Sequence, residues 1–221
     1  MIYVTGDFHG DIERFKDHKL KKLKKGDTLI ICGDFGFLWD GSKKEKQTLK
    51  WIGKRPYQVL FVDGTHDNQD LLKSYEPEEF CGGKARRISG GLWHLMRGNV
   101  YTIEDRKIFA FGGGETRDTD IYEHSDYWWF DELPTVDEID YARSCLQKHD
   151  NQIDYIVTHD APGVIKAFIN MDDNHFNHLH TFFDEVNKNC DFKMWFFGLY
   201  HMDKKIPPSH TALFWKVYPL A

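Results

Sequence analysis

Short runs of apolar, β-branched and aromatic residues recur along the chain, most of them closed by Gly or Asp: Ile2 to Thr5, Thr28 to Cys32, Gln58 to Val62, Val100 to Ile103, Lys107 to Phe111, Asp154 to Thr158, Lys193 to Phe197 and Thr211 to Tyr218. Runs of this length and composition predict strands. Between them, Ile12 to Lys24, Lys43 to Gly53, Thr135 to Lys148 and His175 to Lys188 predict helices. Thr135 follows Pro134 and precedes Glu138 by three residues, a capping-box arrangement that marks a helix start. Strands and helices alternate at both ends of the chain, while strands adjoin one another between Arg86 and Phe111, so a mixed α/β sandwich fits better than a pure doubly wound sheet. The stretch from Glu115 to Leu133 has no clear period. It is polar and aromatic at once, with Tyr122, Tyr127, Trp128, Trp129 and Phe130, and reads as a lid over 115–134 whose indoles either stack on a base or pack without ligand.

Composition narrows this picture. The 221 residues are 41% hydrophobic and 15% aromatic, enough to bury one core, and no linker or repeat divides them, so one domain over 1–221 is expected. The net charge of −6 argues against the broad basic footprint of a duplex-binding protein. The one basic cluster, Lys19, Lys21, Lys22, Lys24 and Lys25, sits where cations complement a helix C-terminus. No run approaches a membrane span, and Met1 to Val4 lead straight into a strand without a basic leader, which predicts a cytoplasmic protein. Cys32, Cys81, Cys145 and Cys190 lie far apart, as reduced thiols do. Oligomeric state is not readable.

The candidate chemistry lies at strand ends. Asp7, His9, Asp34, His66, His159 and His201 each fall just past a predicted strand, and carboxylate and imidazole ligands delivered this way point to a metal site. Gly6 and Gly10 flank Asp7-Phe8-His9 and let the backbone turn sharply there.

In order, the motifs are Asp7-x-His9, Gly33-Asp34, Gly64-Thr65-His66-Asp67, the lone His159, and Gly198-Leu199-Tyr200-His201. This series resembles the calcineurin-like metallophosphoesterase superfamily, in particular small bacterial and phage phosphatases, over nearly the whole chain. The resemblance implies a four-layer α/β/β/α sandwich with mixed sheets. It also implies hydrolysis of a phosphate mono- or diester by a metal-bound hydroxide between two cations, of which Mn²⁺, Fe or Zn²⁺ suit mixed N and O ligands. By resemblance, Asp7, His9, Asp34 and His201 hold the first metal, Asp34 bridges, and His159 binds the second. His66 contacts the phosphoryl or leaving oxygen, with Asp67 set to orient its ring. The substrate would be a phosphorylated small molecule, a nucleotide or a phosphoprotein.

Two positions depart from the pattern. Thr65 stands where the family has Asn and Leu199 where it has His, both second-metal ligands, and Leu carries no donor atom. The first site is expected to fill and the second to be weak or empty, with hydrolysis slowed. The alternative is a non-catalytic or inactivated protein of this fold that binds one metal, a nucleotide or a protein partner. Asp63, Asp160 and Asp203 flank the motifs but read better as turn or surface carboxylates than as replacement ligands. Gly112-Gly113-Gly114 reads as a bend, with Arg117 beyond it as a candidate phosphate partner. His175, His178 and His180 read as surface residues, since their spacing on a helix does not form one metal-binding i, i+4 pair.

Overall fold

A computed structural model describes residues 1–116, 130–169 and 175–220. Arg117, Tyr122, Tyr127, Trp128 and Trp129, named above as candidate substrate contacts and lid, lie outside the described residues.

Two mixed sheets form the centre. In the first, β1 (Ile2–Thr5), β2 (Thr28–Ile31), β3 (Gln58–Phe61) and β6 (Leu92–Leu95) run parallel. Antiparallel β5 (Gly83–Ser89) and β4 (Pro77–Phe80) extend one edge, and β13 (Tyr218–Pro219) pairs with β1 at the other. In the second sheet β8 (Arg106–Phe111), β9 (Tyr155–Thr158), β10 (Met194–Phe197) and β12 (His210–Ala212) are parallel, with β7 (Asn99–Ile103) and β11 (Lys204–Ile206) antiparallel at the edges.

Side-chain alternation explains the layering. Ile30 and Leu60 of the first sheet and Ile108, Tyr155 and Phe196 of the second join one buried cluster between the sheets. Their neighbours Leu29, Ile31, Val59 and Phe61 point the other way into a second cluster. Phe109, Phe111, Ile156, Trp195 and Phe197 join a third, which includes residues of the outer helices. Strands buried on both faces are apolar at nearly every position, which is why they read so clearly. The helices α1 (Lys43–Ile52) and α2 (Gln69–Lys73) contribute Leu49, Ile52 and Leu72 to the first sheet's outer face. From α3 (Val136–Lys148), α4 (Gly163–Ile169) and α5 (His178–Asn189), residues such as Ile139, Ile165 and Phe182 pack on the second. The layers are α/β/β/α, as the resemblance implies.

The capping box at Thr135 is present in both halves. Two predicted elements differ. Ile12 to Lys24 is not an α-helix but two short 3₁₀ turns, Ile12–Lys16 and Leu20–Lys22. Asp17 Oδ1 accepts from Lys19 N at 2.7 Å and breaks the run, and the lysines that follow repel one another at helical spacing. Thr211 to Tyr218 is not one strand. The carboxylate of Asp203 accepts from the backbone N–H groups of Phe214, Trp215 and Lys216, and the chain crosses from the second sheet to the first between β12 and β13. Among the described residues no helix is long and apolar enough to cross a membrane.

Candidate metal centre

The ends of β1, β2, β3, β9 and β10 converge, and with them the six residues at those ends. Asp7, His9, Asp34 and His201 each offer a ligand atom within 4.8 Å of the others. His201 Nε2 lies 2.9 Å from His9 Nε2 and 3.4 Å from Asp7 Oδ2, and His9 Nδ1 lies 3.7 Å from Asp34 Oδ2. His159 adjoins them, its Nε2 3.3 Å from Asp34 Oδ1. His66 Nδ1 is 3.0 Å from Asp34 Oδ2, which leaves this half-exposed ring with its Nε2 unpartnered among the described residues.

The loops that carry these groups are fixed by their backbones. Phe8 N and His9 N both donate to Asp34 O, at 3.0 and 2.8 Å, and Gly10 N donates to Phe35 O. His9, Asp34, Leu199 and His201 all adopt positive φ, between 42° and 59°, a set of strained turns gathered at one place. The Gly before each ligand motif has a steric cause. A Cβ on Gly198 would overlap Asp7 Oδ1, one on Gly64 would overlap Asp34 Oδ1, and one on Gly33 would overlap the His159 ring.

Asp7 and Asp34 are fully buried, and among the described residues the ion-pair partners of their carboxylates are all histidines. Burial pushes Asp7 up to about 8, with His159 opposing and Asp34 reinforcing the rise. For Asp34 burial also acts upward, but His159 and the His66 hydrogen bond outweigh it and hold the carboxyl well below its usual range. Burial lowers His9 to about 4 and lowers His201 as well, so both rings are neutral and present lone pairs. For His159 burial acts downward, yet Asp34 and Asp7 raise it to about 9.

A divalent cation fits these residues. His159 Nδ1 lies 3.0 Å from Cys32 O, so the neutral ring that donates there would turn its Nε2 lone pair toward Asp34, and that buried nitrogen makes no hydrogen bond among the described residues. Without a cation, protons on Asp7 and His159 offset the charge of this buried cluster; a divalent ion would offset it instead and use the lone pairs of His9 and His201. A backbone carbonyl fixing the second nitrogen of a ligand histidine is the usual outer support of such a site.

Thr65 and Leu199, the two departures from the pattern, adjoin this cluster. Thr65 Oγ1 is buried 3.4 Å from Asp34 Oδ1 and 3.1 Å from His66 Nδ1. Leu199 offers its backbone N–H, which donates to the Asp7 carboxylate at 3.0 and 3.2 Å. Asp67 does not orient His66 as expected from the sequence. It is buried and accepts from the backbone N–H groups of Phe35, Gly36 and Gly64, binding the loops after β2 and β3 together, while Asp34 holds the His66 ring.

The neighbouring carboxylates are engaged elsewhere. Asp63 pairs with Arg97 and His94, Asp160 accepts from Tyr200 Oη and Ala161 N, and Asp203 caps the turn after β12. Gly113 N and Gly114 N donate to the carbonyls of Asp63 and Glu132, so this Gly run is a packed bend. His175 meets Glu115, and His178 meets the Pro134 carbonyl. His180 is not on the surface as expected: it is buried, completes the N-terminal cap of α5 and lies 3.0 Å from Asp160. Sequence reading also passed over Arg14, whose buried guanidinium donates to Asp7 O at 2.6 Å and Phe214 O at 2.5 Å. Its place shortly after Asp7-x-His9, within the 3₁₀ turn Ile12–Lys16, is the signal in the sequence.

A family model described as calcineurin-like phosphoesterase matches residues 1–199. No curated protein matches the chain. Among solved structures, that of a protein of unknown function from Aquifex aeolicus is similar at 17% identity, covering 73% of this chain and 79% of that one, with a TM-score of 0.35, too distant to inform the site.

Proposed function

This chain belongs to the calcineurin-like phosphoesterase family, whose members carry out metal-dependent phosphoester hydrolysis, and from that premise we propose that it hydrolyses a phosphate mono- or diester with one cation bound well and a second bound poorly. The observation that carries this reading is the four-residue cluster of Asp7, His9, Asp34 and His201, with the buried Nε2 of His159 lying 3.3 Å from Asp34 Oδ1. Asp7, His9, Asp34 and His201 would hold the first cation, and Asp34 and His159 are what remains for a second. A divalent cation there supplies Lewis-acid charge that acidifies water and offsets charge on the phosphoryl oxygens.

His66 supplies the proton chemistry. Its hydrogen bond to Asp34 raises the ring's pKa, against the opposing effect of burial, and favours the imidazolium. With Nδ1 engaged, Nε2–H is the group available to donate to a phosphoryl oxygen or to the departing ester oxygen as the water oxygen–phosphorus bond forms and the ester bond breaks. Thr65 and Leu199 support slow turnover, because a neutral hydroxyl and an alkyl chain replace two donors. The substrate is a phosphorylated small molecule, nucleotide or phosphoprotein.

The test is metal content per chain and hydrolysis of p-nitrophenyl phosphate with Mn²⁺, for the natural chain and for Thr65→Asn combined with Leu199→His. About one cation in the natural chain, rising by one in the double variant with at least roughly a tenfold gain in turnover, is expected. Full metal uptake without any gain points to a protein repurposed for binding. No metal retention by either form removes the reading.

A further inference from the structure

Beside His201 the structure holds an aromatic shelf. The Phe214 ring stacks on His201 with centroids 4.8 Å apart and planes 28° apart, and the Trp215 indole meets Phe214 edge-on at 5.0 Å. Trp215 is 60% exposed. A large exposed indole gains little from burial, yet this one is held firmly. The Asp203 carboxylate accepts from the N–H groups of Phe214, Trp215 and Lys216 at 2.9 to 3.2 Å. The Arg14 guanidinium lies 4.5 Å from the indole centroid and is itself tied to Asp7 O and Phe214 O. One backbone turn and one buried cation therefore couple the ring to the metal-centre loop, while most of the indole stays open.

We propose that Trp215 is a stacking site for the base of a nucleoside phosphoester whose phosphate lies at the metal centre. This rests on the phosphoesterase reading and adds the substrate class to it. A rigid exposed indole offers a π-face that every base can use, at low ordering cost because the ring is already placed. The chain of ring contacts starts at His201, a residue of the metal cluster, so a ligand anchored there by phosphate would meet Trp215 with the part of the molecule beyond the sugar. An arginine on one indole face leaves the opposite face for the base.

The experiment uses two non-cleavable probes, the 5′-methylenephosphonate of adenosine and the base-free ribose methylenephosphonate, titrated calorimetrically into the full chain with Mn²⁺. The natural chain should bind the adenosine probe about tenfold more tightly than the ribose probe, in line with single-base stacking. Trp215→Ala should abolish that gap and leave the ribose probe unchanged, whereas Trp215→Phe should keep most of it. Circular dichroism confirms that each variant is folded. Equal binding of the two probes, or a gap that survives in Trp215→Ala, overturns the shelf while leaving the phosphoesterase reading in place. If neither probe binds the Mn²⁺-loaded chain, both fall.

Discussion

At the scale of single residues, the centre is a contest between burial and charge. Asp7 and His159 are pushed up to about 8 and about 9, while His9 falls to about 4 and His201 is lowered. In the metal-free protein at neutral pH, protons therefore sit on the Asp7–His159 pair while His9 and His201 are neutral. A cation must displace those protons, so its apparent affinity should rise as pH climbs from about 6 to about 9, with protons released on binding. Calorimetry of Mn²⁺ binding in buffers of different ionisation enthalpy reads this directly. An affinity flat with pH would contradict the assignment of Asp7 as a ligand. Thr65 and Leu199 were legible as departures from the sequence alone, because a missing donor atom needs no structure to be noticed. The role of Asp67 was not, since its carboxylate turns to three backbone N–H groups that the fold brings from two loops.

At the scale of elements, the site depends on how neighbouring loops are tied. Arg97, just beyond β6, donates from Nε and Nη2 to Asp63 at the end of β3, at 3.0 and 2.6 Å, and its Nη2 also donates to the carbonyls of Asp131 and Glu132. His94 Nε2 lies 3.0 Å from the other Asp63 oxygen. This buried network holds the base of the loop bearing Thr65 and His66 and anchors the 3₁₀ turn Phe130–Glu132 ahead of α3. Arg97→Ala leaves the Asp63 carboxylate buried beside a neutral imidazole. It should cost about 3–5 kcal/mol, as breaking a buried ion pair does, measured by urea unfolding. A loss under about 1 kcal/mol would mean that the network carries little of the fold's stability. None of this was readable from sequence, where Asp63 looked like one more turn carboxylate: its partner stands 34 positions away.

At the scale of the whole molecule, two sheets share one buried face and deliver their parallel strand ends to a single place, so the cation would join loops from both sheets. Metal binding should accordingly stabilise the entire fold. With free Mn²⁺ at about 100 times its dissociation constant the gain is about 2.7 kcal/mol, or roughly 5–10 °C in Tm for a chain of this size. Thermal unfolding with Mn²⁺ and then with excess chelator measures it, and an unchanged Tm would count against a resident cation. Although β4, β5, β6 and β11 lie outside the predicted runs, the strands β1, β2, β3, β7, β8, β9 and β10, the cap at Thr135 and the candidate ligands just past strand ends were legible in the sequence itself. Each depends on local periodicity, on a three-residue hydrogen-bond pattern or on a motif whose residues lie within a few positions. Tertiary structure alone decided that the run after His210 splits between two sheets, that Asp203 pins it and that Trp215 stands beside His201. Those outcomes rest on contacts between segments far apart in the chain, and the composition of either segment carries no trace of its partner.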